Sequence, residues 1–403
     1  MSVTLQRISI ILQRRLLFIM KKLSILTLVF ILMLTALPAL PASAAAAAAP
    51  KTAVYVDKDN HSFIPLRFLN GFAGIQAGMG GQTGKDITIS KNGTTIVLAS
   101  GQTGASVGGK SVKLNERPFS SNGTTYVPLS LISQTLGLQL AWNKTTASLT
   151  LTAGETSATL PVLTGSLISA SSPAVVSSRH TYKVGGRAFP VQMVTVSLLH
   201  PALKLDVVLA GNTVGKTEAL GSIAKRSGAV AAINGTFFDA YTAGAYKAPY
   251  GYIISRGKML KDSPADKRTV FAYDNNLLAE LIPGSKFMEH FNAGTVTGAI
   301  QAGPRLLVDG KVALNVAAEG FRDPKILTGG GSRSALGLTQ DHKLILLTSG
   351  GATIPQLAQI MKQAGAYQAM NLDGGASSGL FYSGKYLTSP GRLISNALVV
   401  KTN

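Results

Sequence analysis

Asn371-Leu372-Asp373-Gly374-Gly375-Ala376-Ser377-Ser378-Gly379 follows an apolar run, Ala366 to Leu372, that reads as a buried strand. The strand delivers one amide and one carboxylate to a turn. Two glycines let the backbone bend sharply or approach a ligand closely, and two hydroxyls follow within reach. An Asp-Gly-Gly turn after a strand is also an ordinary strand ending. Two further stretches share the pattern and favour a site: Ala232-Ile233-Asn234-Gly235-Thr236-Phe237-Phe238-Asp239, and Ala302-Gly303-Pro304-Arg305-Leu306-Leu307-Val308-Asp309-Gly310. Each runs from an apolar segment into Gly beside a polar or cationic residue. The Phe237-Phe238 pair reads as core rather than as a platform for a ligand.

Outward from these stretches the pattern is strand after strand. Phe189 to Val196, Leu203 to Leu209, Ala229 to Ile233 and Lys343 to Leu347 alternate or run apolar. Glu218 to Arg226 reads as a short helix. Thr353 to Gly365 reads as another, with Ile354, Leu357, Ile360 and Met361 on one face and Gly365 as its stop. Residues 179–403 are therefore expected to form an α+β domain: a mixed β-sheet with flanking helices.

The N-terminal half carries an internal repeat. Phe63-Ile64-Pro65-Leu66-Arg67-Phe68-Leu69 recurs as Tyr126-Val127-Pro128-Leu129-Ser130-Leu131-Ile132, Gly74-Ile75-Gln76 as Gly137-Leu138-Gln139, and Ile87-Thr88-Ile89 as Leu149-Thr150-Leu151. Each copy predicts a short strand, a Pro at the start of a helix, then alternating strands. These residues resemble the stalk-type domain also called copper amine oxidase N-terminal-like. The resemblance implies a small repeated α+β domain over 50–153 that serves spacing or wall attachment. His61 is the region's only histidine and is expected at the surface rather than on copper. Residues 154–178, rich in Ser, Thr, Ala and Gly, read as a linker.

Lys21-Lys22, an apolar run from Leu23 to about Leu40 and Pro41-Ala42-Ser43-Ala44 read as a cleavable secretory signal over 1–44, with Met20 as an alternative start. The expected location is secreted or bound to the cell envelope, with no membrane span left after cleavage. Charged residues are 14% of the chain, against about 25% in an average soluble domain. The net charge of +20 spreads over the leader, the repeat and the C-terminal half without any dense Lys/Arg cluster. That excludes a nucleic-acid binder and suits an anionic envelope or substrate. With no cysteine, disulfides, thiolate metal sites and a Cys nucleophile are excluded.

Asn234 to Phe238, Ala302 to Arg305, Arg333-Ser334-Ala335-Leu336-Gly337, Asn371 to Ser378, and Arg392 followed by Asn396-Ala397-Leu398 occur in one order. Together they resemble the phosphodiester glycosidase family over about residues 180–403. One departure is Thr236, where that family often has a second Gly. The resemblance implies an exported hydrolase that frees a sugar from a glycosyl-1-phosphodiester of the N-acetylglucosamine type, on cell-envelope or exopolysaccharide material. Three motif arginines, Arg305, Arg333 and Arg392, offer fork-shaped donors to a phosphodiester. The backbone of Gly374 and Gly375, or of Gly329-Gly330-Gly331-Ser332, offers an anion nest, and Gly235, Ser377 and Ser378 complete the binding set. Asn234 and Asn371 either recognise substrate or pin their turns. Glycosidic cleavage calls for a carboxylate, and Asp373 is the first choice with Asp239 the second. No cofactor is required. Asp373, Asp239 and backbone carbonyls suit Ca²⁺ or Mg²⁺, but nothing in their spacing demands a metal.

Gly375-Ala376-Ser377-Ser378-Gly379 also fits the nucleophile elbow of α/β-hydrolases. That fold places its His after the Ser, and none of His61, His180, His200, His290 and His342 follows Ser377. The remaining alternative is a non-catalytic wall or polysaccharide binder, gripping anionic polymer through the repeat domain.

Overall fold

In this computed structural model, residues 51–81 and 84–402 are described. The expected signal over 1–44 lies outside them. Among the described residues no helix is long and apolar enough to cross a membrane.

The repeat folds as its pattern dictates. Strand Ser62–Pro65 runs into helix Leu66–Leu69, and Thr124–Pro128 into Leu129–Leu136. Each Pro stands just before its helix, where a missing N–H leaves no bond unmade. The two copies pair antiparallel within a seven-stranded sheet, with Ile64 opposite Val127. A five-stranded sheet packs with it around Ile64, Ile87, Ile89, Ile132 and Leu151. The stretch expected as linker is only partly one. Thr156–Thr164 is a strand, antiparallel to Ser148–Ala153 and parallel to Val54–Val56. Its threonines are β-branched and sit well in a pleat, and its parallel partner lies about a hundred residues earlier, out of reach of local pattern.

The second domain has three sheets. The largest runs, in spatial order, Val175–Val184, Arg187–Ser197, Lys343–Ala352, Gly331–Leu338, Gln368–Asn371, Arg305–Val308 and Lys311–Val312. A second contains Leu203–Leu209, Asn396–Thr402, Ala231–Asn234, Leu380–Tyr382 and Lys385–Thr388. A third is built around Val270–Tyr273 and Gly298–Gln301. The strand pairings of this domain are antiparallel, where a mixed sheet was expected; the only parallel pairing among the described residues is that of Val54–Val56 with Thr156–Thr164. Inner faces of all three sheets meet in one core that includes Val194, Leu205, Ile233, Phe271, Leu336, Met370 and Leu398.

Each outer face is covered by a helix: Ile354–Gln363 on the largest sheet, Leu220–Arg226 on the second, Gly284–Asn292 on the third. The first of these starts at a capping box between Thr353 and Gln356, and Gly365 ends it at φ +88°. The expected α+β class is what is found. The repeat domain seats on this unit through buried His342, whose Nε2 lies 3.1 Å from the Ala147 carbonyl and 3.2 Å from that of Val162.

Candidate active site

Asn234 ends one strand of the second sheet and Asn371 one strand of the largest. Asn396 opens a third strand and Arg333 lies near the start of a fourth. All four are buried, so the seam between the two sheets is lined by polar side chains that must find partners inside the protein. They find them in each other's loops. Asn234 Nδ2 donates to the Asp373 carbonyl at 2.7 Å, and its Oδ1 accepts from Ser334 Oγ at 2.6 Å and from the Gly379 N–H at 3.0 Å. The Asp373 N–H donates to the Gly235 carbonyl, and the Leu372 N–H to that of Ser334. Asn371 Nδ2 donates to the carbonyls of Gly303 and Leu372, while its buried Oδ1 has no hydrogen-bond partner among the described residues. Of the two roles open to these asparagines, the observed bonds serve turn-pinning: they fix the Asp373 loop from both sheets.

Asn396 completes the frame. Its Nδ2 donates to Thr236 Oγ1 at 2.8 Å, and its Oδ1 accepts from the Thr236 N–H at 3.1 Å. Thr236 therefore takes part in the loop's bonding where the family often has Gly. Gly235 is required by close approach: a Cβ there would stand 2.0 Å from Asn396 Oδ1. Gly375 is required by its φ of +61°.

Asp373 sits on this frame, half-buried. Burial pushes its carboxyl up from the ordinary 3.8 to about 7, against the opposing pull of the Ser377 hydroxyl, the Gly374 N–H and the Arg392 charge. The Gly374 N–H donates to Asp373 Oδ1 at 2.9 Å, so that member of the expected anion nest serves the carboxylate instead. Ser378 is buried beside Ser377, its Oγ without a hydrogen-bond partner among the described residues.

The site's mouth is cationic. Arg392 Nη2 donates to the Tyr241 hydroxyl at 2.9 Å, and its guanidinium lies 4.9 Å from the centre of that ring. Lys325 Nζ lies 5.8 Å from the same centre. Tyr241 is 78% exposed, and its hydroxyl is held below its usual value by the Arg392 hydrogen bond, then by the Arg392 and Lys325 charges. Arg333 donates from Nε to the Ala352 carbonyl and from Nη2 to those of Lys325 and Gly329. It thereby ties the Lys325 segment to the sheet. Its Nη1 points toward Gly374, 3.6 Å from where a Cβ would stand there.

One expected site residue, Arg305, is not brought here. Arg305 turns back along its strand, donating to the carbonyls of Leu307 and Leu281 and to Gln368 Oε1. Burial lowers its guanidinium to about 10. It is structural, because a bulge between Arg305 and Leu307 aims the side chain at the far end of strand Gln368–Asn371. Asp239 Oδ1 accepts from the Thr242 N–H at 3.1 Å and shapes the turn that presents Tyr241. Tyr241 and Lys325 are the residues that sequence reading missed. Asn396 stood in a recognised motif without a role.

No carboxylate and imidazole cluster suited to a metal adjoins Asp373 among the described residues. The one such group is Asp57, Asp59 and His61 in the repeat domain, where His61 Nδ1 lies 3.1 Å from Asp57 Oδ2.

Comparison with known proteins bears out the resemblances drawn from the motifs. Residues 227–401 match the family model described as phosphodiester glycosidase, and residues 45–151 match that described as copper amine oxidase N-terminal domain. Among solved structures, the catalytic domain of zebrafish N-acetylglucosamine-1-phosphodiester alpha-N-acetylglucosaminidase, auto-inhibited by its pro-peptide, is similar at 21% identity and a TM-score of 0.51, covering 58% of this chain and 85% of that one. A hypothetical protein from Synechocystis is similar at 17% identity and a TM-score of 0.51, covering 88% of this chain and 99% of that one. At these identities the likeness is one of fold. No curated protein matches the chain.

Proposed function

We infer that this chain, whose residues 227–401 match the phosphodiester glycosidase family, hydrolyses glycosyl-1-phosphodiesters to free sugar and a phosphomonoester. The observation that carries the reading is the Asp373 carboxyl, held near neutrality beside the Arg392, Tyr241 and Lys325 cluster. A phosphodiester brings a negative charge that Arg392, Lys325 and Arg333 Nη1 can receive, the Arg392 donor exchanging the Tyr241 hydroxyl for a phosphate oxygen. The departing phosphomonoester needs little protonation, so the chemical demand falls on the sugar. Positive charge builds at the anomeric carbon, and ionised Asp373 stabilises or attacks it. A carboxyl titrating near 7 also suits proton exchange with the attacking water at neutral pH.

The name of the zebrafish protein supports N-acetylglucosamine as the first sugar to try. The leader-type sequence of residues 1–44 supports export and action on envelope or exopolysaccharide material, and the basic repeat domain supports contact with an anionic wall polymer. The test is release of free sugar from methyl N-acetylglucosamine-1-phosphate by the purified protein. Turnover is expected; Arg392→Ala should raise KM about tenfold or more, and Asp373→Asn should abolish turnover. Absence of release from any sugar-1-phosphodiester would overturn the reading and leave a polysaccharide binder.

A further inference from the structure

Beside the Asp373 site lies an open groove of about 980 Å³, at the upper end of the range for small-molecule sites. One wall is residues 248–251, continuing the loop that presents Tyr241. The other is residues 317–323, running directly into the segment that carries Lys325. Phe237 of the Asn234 motif adjoins it, edge-on to Phe321 at 5.9 Å and with the Arg268 guanidinium 5.5 Å from its centre. Two segments of the groove thus continue along the chain into the loops that carry Tyr241 and Lys325.

The groove's charges do not cancel. Asp266 is paired with Arg268. Glu319 accepts from the Thr269 N–H and hydroxyl and from the Arg305 N–H, in the field of the Arg305 guanidinium. Asp323 caps the Lys325 segment in the field of Arg333. Lys261 lies 3.7 Å from Asp262. Lys267 and Arg322 remain, both exposed and neither in an ion pair with any described residue. Tyr250, 44% exposed, lines the same groove.

We propose that this groove binds the neighbouring anionic repeat of a phosphodiester-linked glycan, Lys267 and Arg322 taking its phosphate and Tyr250 a sugar ring. The substrate is then a polymer with successive phosphates rather than a lone glycosyl phosphodiester. The proposal rests on the glycosyl-phosphodiester reading of the Asp373 site.

The test compares methyl N-acetylglucosamine-1-phosphate with a phosphodiester-linked trisaccharide of the same sugar, on the parent protein and on K267A/R322A. The trisaccharide should show kcat/KM about tenfold or more above the single-phosphate compound, as two extra charge-assisted contacts allow. The double variant should lose that advantage while hydrolysing the single-phosphate compound within about twofold of the parent, since exposed lysine and arginine away from the site carry little stability. Equal kcat/KM for the two substrates on the parent, or equal losses on both in the variant, would overturn the groove.

Equilibrium binding of the trisaccharide to Asp373→Asn separates this failure from failure of the underlying reading. Affinity should fall about tenfold or more when K267A/R322A is added, and should weaken with salt. Affinity unchanged by the added variant would sink the groove even with hydrolysis established. Loss of binding in a protein that hydrolyses no phosphodiester would uphold the groove and remove the assigned reaction.

Discussion

Replacing Asp373 by Asn should abolish turnover and stabilise the protein at neutral and alkaline pH. Burial raises the carboxyl from its ordinary 3.8 to about 7. The unfolded chain therefore releases this proton near 3.8, while the folded chain keeps it up to about 7. Across that window the folded state binds more proton than the unfolded, so the carboxyl's contribution to stability is full below 3.8 and falls until pH passes 7. A displacement of that size corresponds to about 4 kcal/mol. The carboxyl is partly open at the site's mouth, and solvent there screens the penalty, so a gain of about 2 kcal/mol is expected from Asp373→Asn. The amide keeps the Oδ1 that accepts from the Gly374 N–H. For a domain of this size the gain is a Tm rise of about 4–8 °C. Calorimetric scans of parent and variant at pH 8 should show that rise, and scans at pH 4 should nearly coincide. A variant no more stable than its parent at pH 8 would refute the reasoning, because it would mean that the folded protein solvates the ionised carboxyl as well as water does.

The acid limb of kcat/KM should fall at an apparent pKa near 7, since that profile reports the free enzyme; a limb near 4 would contradict the raised Asp373 carboxyl. Gly235→Ala forces a Cβ to within 2.0 Å of Asn396 Oδ1, and should cost about 2–4 kcal/mol in urea unfolding by breaking the Asn396 and Thr236 pairing. Arg305→Met should destabilise by about 3 kcal/mol through the acceptors it strands, yet leave kcat of the folded fraction unchanged; a selective loss of kcat would return Arg305 to the site.

What sequence revealed and concealed follows from the range of the interactions. The strand ends at Asn234 and Asn371 were legible because each closes an apolar run and opens a Gly turn within a few residues. The helix at 354–363 was legible because its cap, its apolar face and its stop are local. That these asparagines face one another was not legible: Ser334 Oγ meets Asn234 Oδ1 across a hundred residues of chain. Arg305 misled for the same reason. Its motif reads as a loop, but its guanidinium is claimed by Leu281 and Gln368, which no local pattern brings near. Tyr241 and Lys325 lie in irregular segments with no periodicity to mark them, and only the packed turn at Asp239 and the bonds from Arg333 place them beside Asp373. The strand at 156–164 hid in a Ser- and Thr-rich stretch because its pattern matches that of a linker until its partners are known.

The central claim is that the bond broken joins the anomeric carbon to oxygen, with Asp373 acting on the sugar and the cationic mouth holding the phosphate. Hydrolysis of a glycosyl-1-phosphodiester in ¹⁸O-labelled water tests it directly, with the phosphomonoester product read by mass spectrometry because the sugar's anomeric oxygen exchanges with water. A phosphomonoester free of label is predicted. Label in the phosphate would show attack at phosphorus and contradict the account.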